Sequence, residues 1–347
     1  MQPRLAYFEN WIDPEGPRRV ERSGGIDLLR LSYDAPEDEN WAALATAHGY
    51  QIAPRSELKE PWFGTAALLA RCPSLLAISS TGAGYDMVDV EACTAAGVIV
   101  CNQSGTNDEA VAEHALGLML CLSKQIVQSD RALRRQAGID RFAFTGRDLL
   151  GKTVGIVGLG RIGARLAELC GTLFAMRVLA VDPYLSAAEI EARGAVKADL
   201  AEMLREADFV SVNCPRSAET FGMFGADAFA AMKPTAYFVT TARGGIHDEA
   251  ALAEALRAGR IAGAGLDVFL TEPPGPDHPL LAFDNVVASP HIAGVTEEAV
   301  RNMATAAAEQ WQDILAGRAP PRLVNPEAWP LYARRFEAVF GRSPATP

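Results

Sequence analysis

The chain has 347 residues, of which 49% are hydrophobic and 22% are charged, and its formal net charge is −11 at pH 7. These values are typical of a globular protein of about two domains, and the acidic charge argues against nucleic acid or an anionic membrane as a partner. The six dispersed cysteines form no C-x-x-C pair and the N-terminal stretch MQPRLAYFENWIDPEG has no long apolar segment, so we expect a cytoplasmic protein with free thiols.

The first part of the chain alternates short apolar runs with helical stretches. Strands are predicted over 4–8, 26–33, 50–53, 75–79 and 98–101, with helical stretches at 40–48 and 68–71. This alternation predicts a parallel α/β sheet. Because ligands of such sheets bind after the carboxyl ends of the strands, the loops 82–84 and 102–105 are candidate binding loops.

A long helix is predicted next, with Thr106 and Glu109 at the spacing of a capping box. Its apolar stripe consists of Val111, Ala115, Leu118, Met119, Leu122 and Ile126. The stripe predicts a connector between domains that also buries surface in a dimer, or else simple packing in a core. The basic stretch 130–150 is predicted to be irregular, as a solvated loop, a dimer arm or an anion contact.

Residues 152–182 are predicted to form a strand, a glycine turn, a helix and a second strand. The glycines Gly158, Gly160 and Gly163 have the spacing G-x-G-x-x-G, which lets a dinucleotide pyrophosphate approach the N-terminus of a helix. The helix carries one apolar stripe: Ile162, Leu166, Leu169, Cys170 and Leu173. Asp182 ends the second strand, where its carboxylate can bind a ribose diol and favour NAD over NADP. The alternative for Asp182 is a turn residue before Pro183.

The alternation resumes after Asp182, with strands predicted over 208–213, 236–241, 263–268 and 286–289. A helix runs from a cap at Asp248 to Gly259, and a final helix runs from Thr296 to about Leu315. We therefore predict a six-stranded, doubly wound NAD-binding domain over 106–291. A discontinuous substrate domain would comprise 1–105 and 292–347.

Three polar residues, Arg243, Glu272 and His291, each follow a predicted strand of the second domain. In a parallel sheet they can converge on one site beside a nicotinamide. Arginine matches a carboxylate with two parallel hydrogen bonds, and histidine can donate a proton near neutral pH. A glutamate nearby stabilises the protonated imidazole. This set fits hydride transfer to a 2-oxo acid.

With these motifs, the chain resembles the NAD-dependent D-2-hydroxyacid dehydrogenase family, which includes phosphoglycerate dehydrogenase and glyoxylate/hydroxypyruvate reductase. The resemblance covers most of residues 50–325 and rests on STGAGYDMVD, NQSGTNDEAVAEHALGLML, GKTVGIVGLGRIG, VDPY, VTTARGG, GLDVFLTEPP and SPHIAG. It implies a flavodoxin-like substrate domain and a Rossmann domain with a cleft between them. It also implies NAD as the cofactor and a homodimer built on the helix near 106–122.

The resemblance also implies roles for single residues. Arg243 would bind the substrate carboxylate, His291 would be the acid/base and Glu272 would orient His291. The implied cofactor-binding residues are Gly158, Gly160, Arg161, Ile162, Gly163, Asp182, Cys214, Pro215, Thr241, Ala242, Asp267, which would hold the nicotinamide carboxamide, and His291. The implied substrate-binding residues are Gly82, Ala83, Gly84, Arg243 and His291, and no metal is implied.

Other features limit what the resemblance specifies. Thr240, Asn213 and Met87 depart from the residues that are frequent in the family, so no single member is indicated. The family-like part ends near Asn325, and we expect the remaining residues to be too few for the regulatory domain of long phosphoglycerate dehydrogenases. An aromatic stripe near the C-terminus predicts a helix docked on the body, with a substrate lid as the alternative: Trp329, Tyr332, Phe336 and Phe340.

Two functions are therefore weighed. The first is an NAD(H)-linked oxidoreductase that acts on a small D-2-hydroxy acid or its 2-oxo acid. The second is a dimeric, NAD-sensing interaction protein that keeps the dehydrogenase fold without turnover. Arg55 is either a contact for a substrate phosphate or a surface charge.

Overall fold

The structure is a computed structural model that describes residues 1–54 and 57–345. Arg55, a candidate phosphate contact, lies outside the described residues. The chain divides into two compact units, Met1–Asn107 with Thr296–Pro347, and Asp108–Val295. The first unit is thus discontinuous, and the divisions fall within a few residues of the predicted boundaries at 105 and 291.

The first unit contains a five-stranded parallel sheet. Its strands are Arg4–Phe8 (β1), Asp27–Leu31 (β2), Gly49–Ile52 (β3), Ala77–Ser80 (β4) and Ile99–Cys101 (β5). They are arranged in the order β2-β1-β3-β4-β5, with every pair parallel. This is the flavodoxin-like order, so the predicted parallel α/β class of this domain is confirmed.

The helices of the first unit differ in part from the predictions, and Glu15–Ser23 and Val90–Ala95 were not predicted. They are Glu15–Ser23, Glu37–Leu44, Ala66–Arg71, Val90–Ala95, Glu297–Ala316 and Trp329–Phe340, with a 3-10 turn at Pro326–Ala328. The helix predicted over 40–48 begins at Glu37 and ends at Leu44, because the His48 N–H is already bonded to the carbonyl of Arg4 in β1, at 2.9 Å. The helix Glu15–Ser23 was missed because only Gly16 and Val20 are buried, which leaves no apolar stripe to detect.

The C-terminal aromatic residues dock on the first unit. Trp329, Tyr332 and Phe336 are buried, and the Tyr332 hydroxyl donates to the Ile314 carbonyl at 2.7 Å. The Phe340 ring lies 4.8 Å from the Phe336 ring. These contacts confirm the predicted docked helix in preference to a substrate lid.

The second unit contains a seven-stranded parallel sheet, one strand more than predicted. Its strands are Thr153–Val157 (β6), Arg177–Val181 (β7), Val196–Lys197 (β8), Phe209–Val212 (β9), Tyr237–Thr240 (β10), Gly263–Leu266 (β11) and Val286–Ala288 (β12). Their order is β12-β11-β10-β9-β6-β7-β8, so the chain reverses direction across the sheet between β6 and β9. The additional strand, β8, has two residues and is too short to show any alternation.

The helices of the second unit pack on both faces of this sheet. They are Asp108–Ser123, Ile126–Arg135, Arg161–Phe174, Ala187–Ala192, Leu200–Glu206, Ala226–Ala231 and Glu249–Arg257, with 3-10 turns at Arg141–Phe144 and Pro279–Ala282. Two apolar clusters, one on each face, form the core of the unit. The predicted doubly wound fold is confirmed.

The helix Asp108–Ser123 corrects the predicted capping box and shows where its apolar stripe packs. It begins two residues after Thr106, so Thr106 is not its N-cap residue; the Thr106 hydroxyl donates instead to the Gln103 carbonyl at 2.6 Å. Its stripe is buried against β10, β11 and helix Arg161–Phe174, which places the stripe in the core of the second unit. A role in a dimer stays a prediction.

The end of that stripe was predicted wrongly. The helix stops at Ser123 and Gln125 adopts a left-handed conformation with φ of 54°, after which a second helix, Ile126–Arg135, begins. Ile126 is therefore not part of the stripe and is 51% exposed. The same helix shows that 130–135 is regular, although the whole basic stretch was predicted to be irregular.

Among the described residues, no single helix has the length and apolar character to span a membrane, and one bent pair, Asp108–Ser123 with Ile126–Arg135, meets that test by length and composition only.

His247 is a buried histidine of the second unit. Neither of its ring nitrogens has a hydrogen-bond partner among the residues that the structure describes. Burial lowers the pKa of His247 from 6.5 to about 4, although the charges of Glu249 and Asp248 act in the opposite direction. The folded protein therefore holds this side chain neutral where an unfolded chain would protonate it.

Acidification is expected to destabilise the protein through His247. The unfolded chain takes up a proton near pH 6.5 and the folded chain only near pH 4, so in that window the unfolded state binds more protons and unfolding becomes easier as pH falls. The full effect is about 3 kcal/mol of the free energy of unfolding. Denaturant unfolding at several pH values should show a shallower acid loss in His247→Leu than in the wild type. An equal loss in both proteins would contradict this role.

Candidate active site

The predicted cofactor-binding and catalytic residues of the second unit all follow strands of its sheet. These are Gly158, Gly160, Arg161, Ile162 and Gly163 after β6, Asp182 after β7, Cys214 and Pro215 after β9, Thr241, Ala242 and Arg243 after β10, Asp267 and Glu272 after β11, and His291 after β12. Because all seven strands are parallel, the residues lie at one edge of the sheet. That edge is where ligands of doubly wound sheets bind.

The glycine loop is tightly packed on one side and open on the other. Gly158 has φ of +86°, and a Cβ there would lie 2.7 Å from the Cys214 nitrogen. A Cβ on Gly163 would lie 2.1 Å from the Gly158 carbonyl oxygen. At Gly160, by contrast, a Cβ would meet nothing within 4 Å among the described residues, and Gly160 caps the helix Arg161–Phe174. The helix N-terminus is thus open to an anion.

The helix after the loop follows its predicted stripe only in part. Leu166 and Cys170 are buried and Ile162 and Leu169 are half-buried, but Leu173, in the last turn of the helix, is 60% exposed. The Arg161 guanidinium lies in the first turn, 3.8 Å from the Asp108 carboxylate.

The Asp182 carboxylate bonds to the backbone of the glycine loop and to that of its own turn. Its Oδ2 accepts from the Leu159 N–H and its Oδ1 from the Tyr184 N–H, each at 3.0 Å. These contacts are those of a turn residue, and they also hold the carboxylate beside the glycine loop. The ribose contact stays a prediction.

Polar atoms at the same edge fit a bound dinucleotide. Asn213 Oδ1 and Thr241 Oγ1 have no hydrogen-bond partner in the part of the chain that the structure describes. Burial raises the pKa of the Cys214 thiol to about 11, so this side chain is uncharged at neutral pH. Unpaired polar atoms at the same sheet edge as an open helix N-terminus are suited to the amide, hydroxyl and phosphate groups of a nicotinamide dinucleotide.

The structure brings Glu272 and His291 together. His291 Nδ1 lies 2.7 Å from Glu272 Oε2, and Glu272 Oε1 accepts from the Phe269 N–H at 3.0 Å. The side chains are 40% and 25% exposed, respectively, so the imidazole can reach a ligand. His291 has φ of 57°, an uncommon conformation for a residue with a side chain.

Nearby charges and hydrogen bonds keep the Glu272 carboxylate ionised. Burial by itself would raise the pKa of Glu272. The hydrogen bond and charge of His291, the Phe269 N–H and the charge of Arg243 outweigh burial, and the pKa of Glu272 lies below its usual value. The charge of Arg243 thus acts on Glu272, and Arg243 Nη1 donates to the Ala242 carbonyl at 2.7 Å.

Asp267 lies under the His291 loop. Its side chain is 0% exposed, and its carboxylate accepts from the N–H groups of Ile292 at 2.8 Å and Ala293 at 2.9 Å. The His291 N–H donates to the Asp267 backbone carbonyl at 2.8 Å. These bonds hold the loop that carries His291; the implied contact of Asp267 with a carboxamide stays a prediction.

The predicted substrate loop belongs to the first unit, after β4. The Gly82 carbonyl accepts from the Gln103 N–H and the Ser80 hydroxyl, each at 2.9 Å, and the Ala83 carbonyl accepts from Asn102 Nδ2 at 2.9 Å. The loop is therefore held through its carbonyl groups. Among the described residues, no backbone carbonyl accepts from the N–H groups of Gly82, Ala83 and Gly84.

Comparison with known proteins identifies the family. Residues 116–293 match the model of the D-isomer specific 2-hydroxyacid dehydrogenase family, NAD binding domain. The chain is also 39% identical over 285 residues to a glyoxylate reductase of Thermofilum pendens, covering 79% of this chain and 81% of the relative. The chain belongs to the D-isomer specific 2-hydroxyacid dehydrogenase family. The predicted family is confirmed, and the second unit holds the family's binding domain for a nicotinamide cofactor.

Other relatives of this dehydrogenase family differ in length. The chain is 42% identical over 260 residues to a D-3-phosphoglycerate dehydrogenase of Archaeoglobus fulgidus, covering 75% of this chain and 49% of the relative. It thus spans about half the length of the first curated relatives it matches. A solved D-lactate dehydrogenase of Aquifex aeolicus, complexed with NAD and lactic acid, has a TM-score of 0.78, 26% identity, and coverage of 92% of this chain and 98% of that one.

Two residues of the candidate site were missed from the sequence. Ser289 donates to the Asp267 carboxylate at 2.6 Å, and His114 lies 2.9 Å from the Ser289 hydroxyl. Ser289 stands in the same motif as His291, which was the available signal, whereas His114 is remote in sequence. Among residues 1–54 and 57–345, no group of three or more histidine, cysteine, aspartate or glutamate side chains could hold a metal ion.

Proposed function

We propose that this protein is an NAD(H)-dependent oxidoreductase that interconverts a small D-2-hydroxy acid and its 2-oxo acid. The observation that carries the proposal is the contact of 2.7 Å between His291 Nδ1 and Glu272 Oε2, at the edge that holds the open glycine loop. A histidine that is oriented by a carboxylate and still exposed is arranged for proton transfer. Membership of the dehydrogenase family supports the same reaction.

The chain's residues divide the work of the proposed reaction. When bound, the nicotinamide supplies or accepts a hydride at C2 of the acid. His291 gives a proton from Nε2 to the carbonyl oxygen in the reduction and takes it back in the oxidation, while Glu272 accepts the Nδ1–H and stabilises the imidazolium. Arg243 binds the substrate carboxylate through its planar guanidinium.

Further residues bind the two ligands in this proposal. Asp182 accepts hydrogen bonds from the adenosine ribose and favours NAD because a carboxylate repels the 2′-phosphate of NADP. The backbone N–H groups of Gly82, Ala83 and Gly84 offer donors to the substrate carboxylate.

We also propose a cytoplasmic homodimer. All six cysteines are free, in line with a reducing compartment. Large apolar side chains are exposed along the segment 126–150, which supports an interface there: Ile126, Leu133, Phe142 and Leu150. The retained contact of His291 with Glu272 argues against the alternative of an NAD sensor without turnover.

A panel of 2-oxo acids tests the proposed function. Glyoxylate, hydroxypyruvate, pyruvate, phenylpyruvate, 2-oxoglutarate and 3-phosphohydroxypyruvate are each offered with NADH, and in parallel with NADPH. We expect turnover with a clear preference for one acid and for NADH. Binding of NADH without reduction of any of these acids would contradict the proposal and favour the sensor.

A further inference from the structure

A chain of hydrogen bonds ties the His291 loop to the helix Asp108–Ser123. Ser289 Oγ donates to Asp267 Oδ1 at 2.6 Å, and His114 Nε2 lies 2.9 Å from Ser289 Oγ. A hydroxyl group carries a single proton, which Ser289 gives to Asp267, so the serine oxygen accepts the Nε2–H of His114. The chain therefore has one direction, from His114 through Ser289 to Asp267.

The carboxylate at the end of this chain depends on its donors. Asp267 Oδ1 accepts from Ser289 and the Ile292 N–H, and Oδ2 accepts from the Ala293 N–H. A carboxylate that is fully buried is stable only when such donors surround it. Without the Ser289 hydroxyl, Oδ1 keeps the Ile292 N–H, while His114 remains 3.7 Å away.

We propose that Ser289 and His114 are positioning residues for His291. The inference rests on the proposed function, because it gives both residues a part in the same proton transfer. Ser289 fixes the orientation of the Asp267 carboxylate, which in turn holds the two N–H groups that directly follow His291. These bonds keep His291 in its left-handed conformation with the ring against Glu272.

His114 acts one step further from the loop. His114 donates its Nε2–H to the Ser289 oxygen, and the hydroxyl proton of Ser289 therefore points toward Asp267. His114 belongs to the helix Asp108–Ser123, which packs against β12 and is part of the core of the second unit. The helix that carries His114 therefore helps to fix the position of His291, in addition to the loop of His291 itself.

Substitution of Ser289 tests the proposal through kcat. Because a small displacement of a catalytic group is costly, Ser289→Ala is expected to lower kcat about 10- to 100-fold, with KM for the 2-oxo acid and Kd for NADH changed by less than about threefold. Ser289→Thr keeps the hydroxyl and should recover most of the loss. The matched control is Ser123→Ala, which removes a buried hydroxyl bonded to the Arg147 carbonyl in the same unit and should leave kcat unchanged.

The direction of the chain is tested with His114. His114→Phe removes the donor and is expected to lower kcat about 3- to 10-fold, whereas His114→Gln keeps an N–H at the end of the side chain and should lose less. Because His114 acts through Ser289, the double variant His114→Phe, Ser289→Ala should have the same kcat as Ser289→Ala. If kcat of the double variant were lowered by the product of the two single losses, this order would be contradicted.

Hydrogen exchange gives a readout that needs no turnover. In Ser289→Ala, the amide protons of Ile292 and Ala293 are expected to exchange about tenfold faster or more, and those in Ser123→Ala at the wild-type rate. Wild-type kcat and wild-type exchange in Ser289→Ala would overturn the proposal, as would a loss expressed equally in KM and Kd. If the wild type reduces no 2-oxo acid, the proposed function fails, and the exchange rates still decide whether Ser289 holds the loop.

Discussion

His291→Gln is expected to lower kcat for 2-oxo acid reduction by about three orders of magnitude, because the variant has no group that can give a proton to the carbonyl oxygen. Glutamine fills similar space and can still hydrogen bond with Glu272, so the loss comes from the chemistry of the side chain. The His291 side chain is 40% exposed, and its removal creates no cavity in the core. Steady-state kinetics with the preferred acid of the panel measures the effect.

The protein offers a matched control for His291. His278 also pairs with a glutamate, with 3.2 Å between His278 Nε2 and Glu249 Oε2, and belongs to the same unit. His278→Gln should leave kcat close to the wild-type value, and NADH binding followed by fluorescence should be unchanged in both variants. Turnover near the wild-type rate in His291→Gln would remove His291 from the mechanism.

Arg243→Ala is expected to raise KM for the 2-oxo acid about 100-fold, because the substrate carboxylate loses charge-assisted hydrogen bonds worth about 3 kcal/mol. Arg243→Lys keeps the charge but not the planar pair of donors, so its KM should lie between the two. Free guanidinium ion should restore part of the activity of Arg243→Ala. The control is Arg257→Ala, which removes an exposed arginine paired with Glu254 on a helix of the same unit.

The same substitution has a second effect, on the acid side of the pH profile. The charge of Arg243 contributes to the lowered pKa of Glu272. Without the charge of Arg243, the pKa of Glu272 rises. On acidification, Glu272 then becomes protonated at a higher pH and no longer stabilises the imidazolium of His291 as a carboxylate. Activity of Arg243→Ala should therefore fall at a higher pH than that of the wild type. An unchanged KM for the acid would refute the carboxylate role of Arg243.

Local patterns were sufficient for much of the fold and of the candidate site. The strand alternation predicted parallel sheets in both units, because buried parallel strands are short continuous apolar runs. The spacing of Gly158, Gly160 and Gly163 predicted the tight turn that the structure shows, with φ of +86° at Gly158. Arg243, Glu272 and His291 could be grouped because each directly follows a strand and parallel strands end at one edge of the sheet.

Tertiary contacts decided what local patterns could not. The long helix ends at Ser123 because the chain turns at Gln125, although the apolar spacing continues to Ile126. β8 exists only because the sheet edge pairs with it, since two residues have no periodicity of their own. His114 and Ser289 meet through folding alone, and no local pattern relates them. The sequence by itself thus determined the family, the sheets and the candidate site residues, whereas the packing of distant elements decided how His291 is held, because long-range contacts leave no periodic trace in the chain.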